Sequence, residues 1–279
     1  MSRRTEKTYV GWIRRYILFH DKRHPAEMGA DEVTEFLTSL VVEHRVAPAT
    51  QNQALCALLF LYRRVLEQPM PWLDNLVRAK RPRRLPVVLT PAEVRQVLEQ
   101  LDGVPQLVCT LLYGSGLRLL ECLQLRIKDV DLASCSITVR AGKGNKDRVT
   151  VLPRALVRPI QEHLDQVKRQ HDADLCRGAG WVELPASLGR KYPAAGRDWR
   201  WQWVFPATRT YRHPDTGQRR RHHLHESAIQ RAMAKAVRRS GITKRASCHT
   251  LRHNADSRIM PSRRRRCGFP PASRVSESA

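Results

Sequence analysis

Apolar residues in the first 80 positions recur at helical spacing. Val10, Ile13 and Ile17 fall on one face of a first segment, and Leu55 opens a similar stripe further along. Because residues three or four apart share one side of a helix, each stripe predicts an amphipathic helix that packs on its neighbours. We therefore predict a small domain of helices over residues 1–80.

A basic stretch with two prolines follows this domain. The prolines prevent the helical pattern from continuing, and Arg81, Arg83 and Arg84 accompany them. We predict a linker over residues 81–90 that follows a phosphate backbone.

The next helix has a clear start and a second helical segment follows it. Thr90 can cap the helix and Glu93 completes a capping box, so the helix is predicted to begin there and to end near Gly103. A mostly apolar segment over residues 106–130 is again helical, with an interruption at 114–116.

Later segments add a small amount of β-structure. The β-rich runs 137–140 and 148–152 predict a hairpin with mobile lysines at its tip. An insert over about residues 178–205 carries four tryptophans among basic residues, and a final amphipathic helix is predicted from Glu226 to Ser240. The fold class is therefore mainly α with a small β-sheet (α+β), with a second domain over residues 91–253.

The helical pattern stops after His253. Residues 254–279 are rich in proline, serine and arginine and show no periodicity, so we predict that they are disordered.

The composition favours a polyanionic partner. The chain has 50 lysines and arginines against 26 aspartates and glutamates, a formal charge of +24. Such a field favours nucleic acid, with an anionic membrane surface as the alternative. No apolar run approaches the roughly 18 residues of a spanning helix, and no hydrophobic signal core opens the chain. We expect a cytoplasmic, nucleoid-associated bacterial protein.

The cysteines and histidines do not form a recognised metal motif. The seven cysteines are scattered without a C-x-x-C pair, and the histidines around positions 222–225 and 249–253 lack ligand spacing. We predict no metal and no cofactor. A metal-dependent nuclease that uses these histidines remains the alternative.

Four residues form an inventory suited to phosphodiester chemistry. Attack on a phosphodiester builds charge on the non-bridging oxygens, so a catalyst needs cationic forks and an acid for the leaving oxygen. Each residue also has a plain explanation as a surface charge or a polar helix start. The candidates are Arg118, Lys143, His249 and Arg252.

Three segments resemble the successive motifs of the tyrosine recombinases. They are Gly-Ser-Gly-Leu-Arg-Leu-Leu-Glu over 114–121, Gly-Lys-Gly-Asn-Lys-Asp-Arg over 142–148 and Cys-His-Thr-Leu-Arg-His over 248–253. Within that family, the tryptophan-rich segment 199–206 and Arg-Arg-His-His-Leu over 220–224 resemble the integron integrases. The resemblance implies an N-terminal helical core-binding (SAM-like) domain, a tyrosine-recombinase catalytic domain and a homotetramer on DNA.

The resemblance also implies a role for each candidate. Arg118 and Arg252 would clamp the scissile phosphate, Lys143 would protonate the leaving 5′-hydroxyl, and His249 would assist proton transfer. Glu121 would position the first motif. Lys146 is a weaker claimant to the lysine role and is counted among the DNA contacts.

Integron integrases recombine folded single-stranded sites that carry extrahelical bases. The resemblance implies that Pro214, His222 and His223, with Trp201 from the insert, hold such a base by stacking. Trp199 belongs to the same basic, aromatic segment and is a further DNA-binding candidate. The alternative for these tryptophans is packing in the core.

The family's nucleophilic tyrosine has no counterpart here. The six tyrosines are Tyr9, Tyr16, Tyr62, Tyr113, Tyr192 and Tyr211, and the family motifs that should follow His253 are missing. We expect a frameshift or truncation after His253. Translating the gene's downstream DNA in the other two reading frames would test this. The function is then that of an integron-type recombinase defective in cleavage; the alternative is a non-catalytic protein that occupies recombination sites.

Overall fold

A computed structural model describes residues 3–68, 77, 79, 87–140 and 146–252 of the chain. The chain divides into two compact units, Met1–Leu85 and Pro86–Ala279. Several predictions lie outside the described residues: those for the linker cations Arg81, Arg83 and Arg84, for Lys143 at the hairpin tip, for His253, and for the tail 254–279.

The described part of the first unit is helical, as predicted. It contains α1 (Arg3–Phe19), α2 (Ala30–Val42), α3 (Pro48–Phe60) and a π-helical turn at Leu61–Val65. At its centre the hydroxyls of Tyr16 and Tyr62 are buried and lie 2.9 Å apart in a hydrogen bond.

The buried stripe of α1 differs from the prediction. Val10 is 58% exposed, and Ile13 and Ile17 are only half-buried, whereas Trp12 and Tyr16 lie in the core. The aromatic side chains take the inner face because they remove more apolar area from water than valine or isoleucine does.

The second unit mixes helices with two small sheets. In chain order its elements are α4 (Pro91–Glu99), α5 (Gly103–Ser115), α6 (Leu119–Leu123), β1 (Val130–Asp131), β2 (Ser136–Val139), β3 (Arg148–Val151), α7 (Val157–Cys176), α8 (Ala186–Lys191), β4 (Pro206–Arg212), β5 (Arg219–His223) and α9 (Glu226–Arg239). One core unites α4, α5, α6 and α9 with the inner faces of β2 and α7.

Local signals position α4 and α5. The predicted capping box is confirmed: Glu93 N donates to Thr90 Oγ1 at 3.2 Å, and Thr90 N donates to Glu93 Oε2 at 2.6 Å. Gly103 does not end α4, which stops at Glu99; it opens α5, and its φ of 55° lets the chain turn there. A Cβ at Gly114 would lie 2.3 Å from Pro153 Cγ, so only glycine allows this close approach.

The predicted hairpin stem is confirmed. β1, β2 and β3 form an antiparallel sheet in that order, with Ile137 opposite Thr150 and Val139 opposite Arg148. α9 is also confirmed, ending one residue before the predicted Ser240.

Helix α7 and the hairpin of β4 and β5 were not predicted, and they hold each other in place. α7 packs through Ile160 and Leu164, and β4 and β5 form a second antiparallel hairpin. Arg221 of β5 donates to both carboxylate oxygens of Asp174 on α7, with nitrogen to oxygen distances of 2.7 to 2.9 Å. Both side chains are about nine-tenths buried, so this ion pair fastens the hairpin to α7 inside the unit.

The insert folds as short helices. Residues 178–205 contain α8 and the 3-10 helices Pro193–Arg197 and Trp199–Trp201. Throughout the part of the chain that the structure describes, no helix has the length and apolar character needed to cross a membrane.

Candidate nucleic-acid interface and catalytic residues

Arg118 and Glu121 form a compact unit at the start of α6. The Arg118 backbone N–H donates to Glu121 Oε2 at 2.8 Å, and Arg118 Nη1 donates to Glu121 Oε1 at 2.6 Å. The capping geometry places Arg118 directly before the helix, with its side chain about one-third exposed. Glu121 therefore holds Arg118 at the start of α6.

A second arginine reaches the same carboxylate. Arg148 of β3 donates from Nη2 to Glu121 Oε2 at 2.6 Å and from Nη1 to Glu121 Oε1 at 3.1 Å. Burial opposes ionisation of Glu121, but the hydrogen bonds from Arg148 and Arg118 outweigh it and lower the pKa to about 2. The carboxylate is therefore ionised at neutral pH.

Arg118 opens onto a cleft that also contains residues of the insert and of β5. The cleft has a volume of about 700 Å³. The residues that line it run from Arg118 to His223, which are 105 positions apart in the sequence. Among the predicted site residues it is lined by Arg118, Glu121, Trp201, His222 and His223.

Cations cover the tryptophans of this cleft. Lys128 Nζ lies 3.4 Å from the centre of the Trp201 ring, and the Arg126 guanidinium lies 3.2 Å from the centre of the Trp203 ring. Arg126 also donates to the backbone oxygens of Trp201 and Glu183, each at 2.7 Å. Burial lowers the pKa of Arg126 to about 10 and lowers the pKa of Lys128. One face of Trp201 is thus already in a cation–π contact.

The histidine pair is ordered by aromatic contacts. His222 stacks on Tyr211 at 5.3 Å, and His223 packs edge-on against Trp203 at the same distance. His223 Nδ1 also lies 2.8 Å from Leu224 O, and burial lowers the pKa of the His223 ring. A ring with a lowered pKa favours the neutral form, which suits stacking on a base.

Two of the predicted DNA-binding residues lie elsewhere. Pro214 is exposed in the turn between β4 and β5, at the opposite end of the hairpin from the Pro206–His223 pair. Trp199 packs against His171 and Lys168 of α7 and does not line the cleft. The structure therefore brings Trp201, His222 and His223 together but leaves these two apart.

The last described segment, residues 248–252, is helical. Cys248 and Leu251 are buried in the core with α5 and α6, while His249 is exposed and Arg252 is half-buried. A hydrogen bond with Cys248, together with burial, raises the pKa of the Cys109 thiol on α5. This contact ties the segment that carries His249 and Arg252 to the helix before Arg118.

Lys146 is exposed just before β3. Among residues that the structure describes, no group of three or more histidine, cysteine or acidic side chains is arranged to hold a metal ion.

Sequence reasoning missed Arg148, Arg126 and Lys128. Arg148 stands in the second quoted motif, so its position was available, but its partner Glu121 lies 27 residues earlier. Arg126 and Lys128 carry no local signal, because only the fold places tryptophans over them.

Comparison with known proteins identifies the family. Residues 1–72 match the family model described as "Phage integrase, N-terminal SAM-like domain", and residues 87–262 match "Phage integrase family". The second match extends past His253, the predicted limit of the catalytic domain. Proteins described as "Integrase/recombinase" in Escherichia coli and in Pseudomonas aeruginosa are each 46% identical over 261 residues, covering 94% of this chain and 77% of the relative.

Solved structures support the same fold. The lambda integrase tetramer bound to a Holliday junction has a TM-score of 0.60 at 12% identity, covering 94% of this chain and 66% of that chain. The XerH recombinase bound to palindromic difH substrate, in its post-cleavage complex, has a TM-score of 0.59 at 18% identity, covering 92% and 69%. The two units and their motifs define a site-specific recombinase of the tyrosine type. The chain belongs to the phage integrase family.

Proposed function

We propose that the chain is an integron-type integrase that recognises folded single-stranded DNA sites with extrahelical bases. One observation carries this proposal: Trp201, His222 and His223 line the same cleft as Arg118. An aromatic indole and two imidazoles offer faces for an unstacked base, and Arg118 offers a fork for a neighbouring phosphate. Double-stranded sites are the alternative substrate. Assembly of four copies on DNA belongs to the same proposal.

The phosphate clamp remains part of the proposal. Arg118 and Arg252 would bind the non-bridging oxygens, Lys143 would protonate the leaving 5′-oxygen, and His249 would assist. Glu121 would keep Arg118 in place through its two hydrogen bonds.

Stacking of an extrahelical base on Trp201 in this cleft predicts a selective effect of Trp201→Ala. Binding to a hairpin with an extrahelical base should weaken by about 1 to 3 kcal/mol, with little loss on the matching plain duplex, because only the former loses a stacking face. Fluorescence anisotropy with both DNAs measures this difference. Trp199→Ala removes an indole outside the cleft and serves as the control. If Trp201→Ala weakens binding equally on both DNAs, Trp201 does not stack on an extrahelical base.

We also propose that these 279 residues bind DNA without cutting it. The sequence contains six tyrosines, none after Tyr211, and the structure gives Tyr16 and Tyr62 a core role. Without a nucleophile no 3′-phosphotyrosyl bond can form and conserve the energy needed for rejoining.

A nicked suicide substrate tests this second proposal. We expect no protein–DNA adduct that survives denaturing electrophoresis, while an active tyrosine recombinase on its own substrate gives one in parallel. An adduct from this chain would show that another tyrosine attacks, and Tyr211→Phe would then be the first variant to examine.

A further inference from the structure

Glu121 is saturated as a hydrogen-bond acceptor. Its two oxygens receive the Arg118 backbone N–H, one Arg118 side-chain nitrogen and two Arg148 nitrogens, at 2.6 to 3.1 Å. A carboxylate offers about four lone-pair sites, so these four contacts use all of them. Arg118 gives Glu121 one side-chain N–H of its five donors, which leaves most of the fork for another anion.

The charges of this cluster do not cancel. Glu121 carries one negative charge, and Arg118 and Arg148 carry one positive charge each, so the three side chains together hold a net charge of about +1. The Glu121 side chain is only 11% exposed, so solvent screens the cluster weakly. Without Arg148, the negative charge of Glu121 would cancel the positive charge of Arg118, and the pair would carry no net charge.

We propose that Arg148 is a positioning residue for the phosphate site: by pairing with Glu121, it keeps the charge and the free donors of Arg118 available to a phosphate. The inference rests on the proposed role of Arg118. Arg148 does not itself contact the phosphate. Arg148 acts through Glu121. Without Arg148, both oxygens of Glu121 would be available to form a bidentate ion pair with the Arg118 guanidinium.

The anchoring of β3 and the geometry of its contact with Glu121 support this role of Arg148. Thr150 Oγ1, two residues along β3, donates to the Ser115 backbone oxygen at 2.8 Å, so the strand is anchored beside the end of α5. The Arg148 fork lies across both carboxylate oxygens, whereas the Arg118 side chain reaches only one of them. Arg148 is therefore the stronger partner of Glu121.

The test uses inorganic phosphate and the free protein, so it needs no DNA site. The Arg118 Nε–H signal in NMR spectra of ¹⁵N-labelled protein, assigned through the variant Arg118→Lys, reports phosphate binding. We expect Arg148→Gln to weaken phosphate binding at this signal by about tenfold, because the attraction of an uncompensated charge a few ångströms away is lost. Arg148→Lys, which keeps the charge, should recover most of the affinity.

Two further variants separate this mechanism from simple loss of charge. Arg158→Gln removes one cation from the exposed pair with Glu162 on α7 and should leave binding unchanged. The double variant Glu121→Gln/Arg148→Gln should bind phosphate more tightly than Arg148→Gln alone, because no carboxylate remains to neutralise Arg118. Glutamine at position 121 can still accept the capping N–H. Thermal unfolding and far-ultraviolet circular dichroism confirm that each variant folds.

The outcomes are distinct. Equal effects of Arg148→Gln and Arg158→Gln would overturn the proposal, and so would a double variant as weak as Arg148→Gln alone, which would make Arg148 a direct phosphate ligand. No response of Arg118 in the original chain would also overturn it. Failure of the extrahelical-base experiment leaves this result untouched, since phosphate contains no base.

Discussion

Raising the salt concentration from about 50 to about 200 mM is expected to weaken DNA binding by about 10³- to 10⁵-fold, if six to ten phosphates are contacted. Each phosphate that a cation neutralises releases condensed counterions, and added salt reduces the gain from that release. The formal charge of +24 supplies the cations, and on α9 the side chains of Arg231, Lys235 and Arg238 are exposed.

Anisotropy titrations across the salt series give the slope of log affinity against log salt. Thermal unfolding of the free protein over the same series shows whether the fold is preserved. A nearly flat slope with an intact fold would contradict the proposed DNA interface. It would favour an uncharged or apolar partner instead.

Asp174→Asn is expected to destabilise the second unit by about 3 to 5 kcal/mol, because it leaves the Arg221 charge buried without its counterion. Arg221 would retain bonds to the backbone oxygens of Ala207 and Thr208 at 2.7 and 2.8 Å, which do not carry a full charge. Urea unfolding followed by tryptophan fluorescence measures the loss, since four of the six tryptophans lie between residues 181 and 203.

Asp172→Asn is the matched control. It lies two residues away on α7, is half exposed and pairs with Lys168, so its loss should cost no more than about 1 kcal/mol. Similar costs for the two variants would contradict the anchoring role of Asp174. Since Arg221 immediately precedes His222 and His223, Asp174→Asn should also weaken the preference for extrahelical bases.

Local patterns account for the elements that the sequence predicted well. The capping box at Thr90, the end of α5 at Gly116 and the stem of the first hairpin depend on contacts within a few residues, so their signals lie side by side in the chain. The predicted break was placed two residues early, because Gly114 and Ser115 still belong to α5. The pair of Arg118 and Glu121 belongs here too, because three residues separate the cap of a helix from the third helical position in a capping box.

Other elements lacked such a signal or were misread. α7 has buried positions at helical spacing, such as Ile160, Leu164 and Val167, but these are diluted by many charged residues. β4 and β5 are polar and half exposed, so they lack the alternation that predicts a strand. The inner face of α1 was misassigned because spacing alone does not rank aromatic against aliphatic stripes.

By itself the sequence determined the helical first unit, the stem of the first hairpin and the set of cations proposed to bind a phosphate, because propensity, capping and spacing are properties of neighbouring residues. Only the tertiary structure decided that Arg148 shares Glu121 with Arg118. It also decided that Asp174 holds Arg221. Finally, it placed Trp201 and the histidine pair at one cleft and left Pro214 and Trp199 outside it. Those pairings join residues tens of positions apart, and their energies depend on burial and geometry that exist only once the chain has packed.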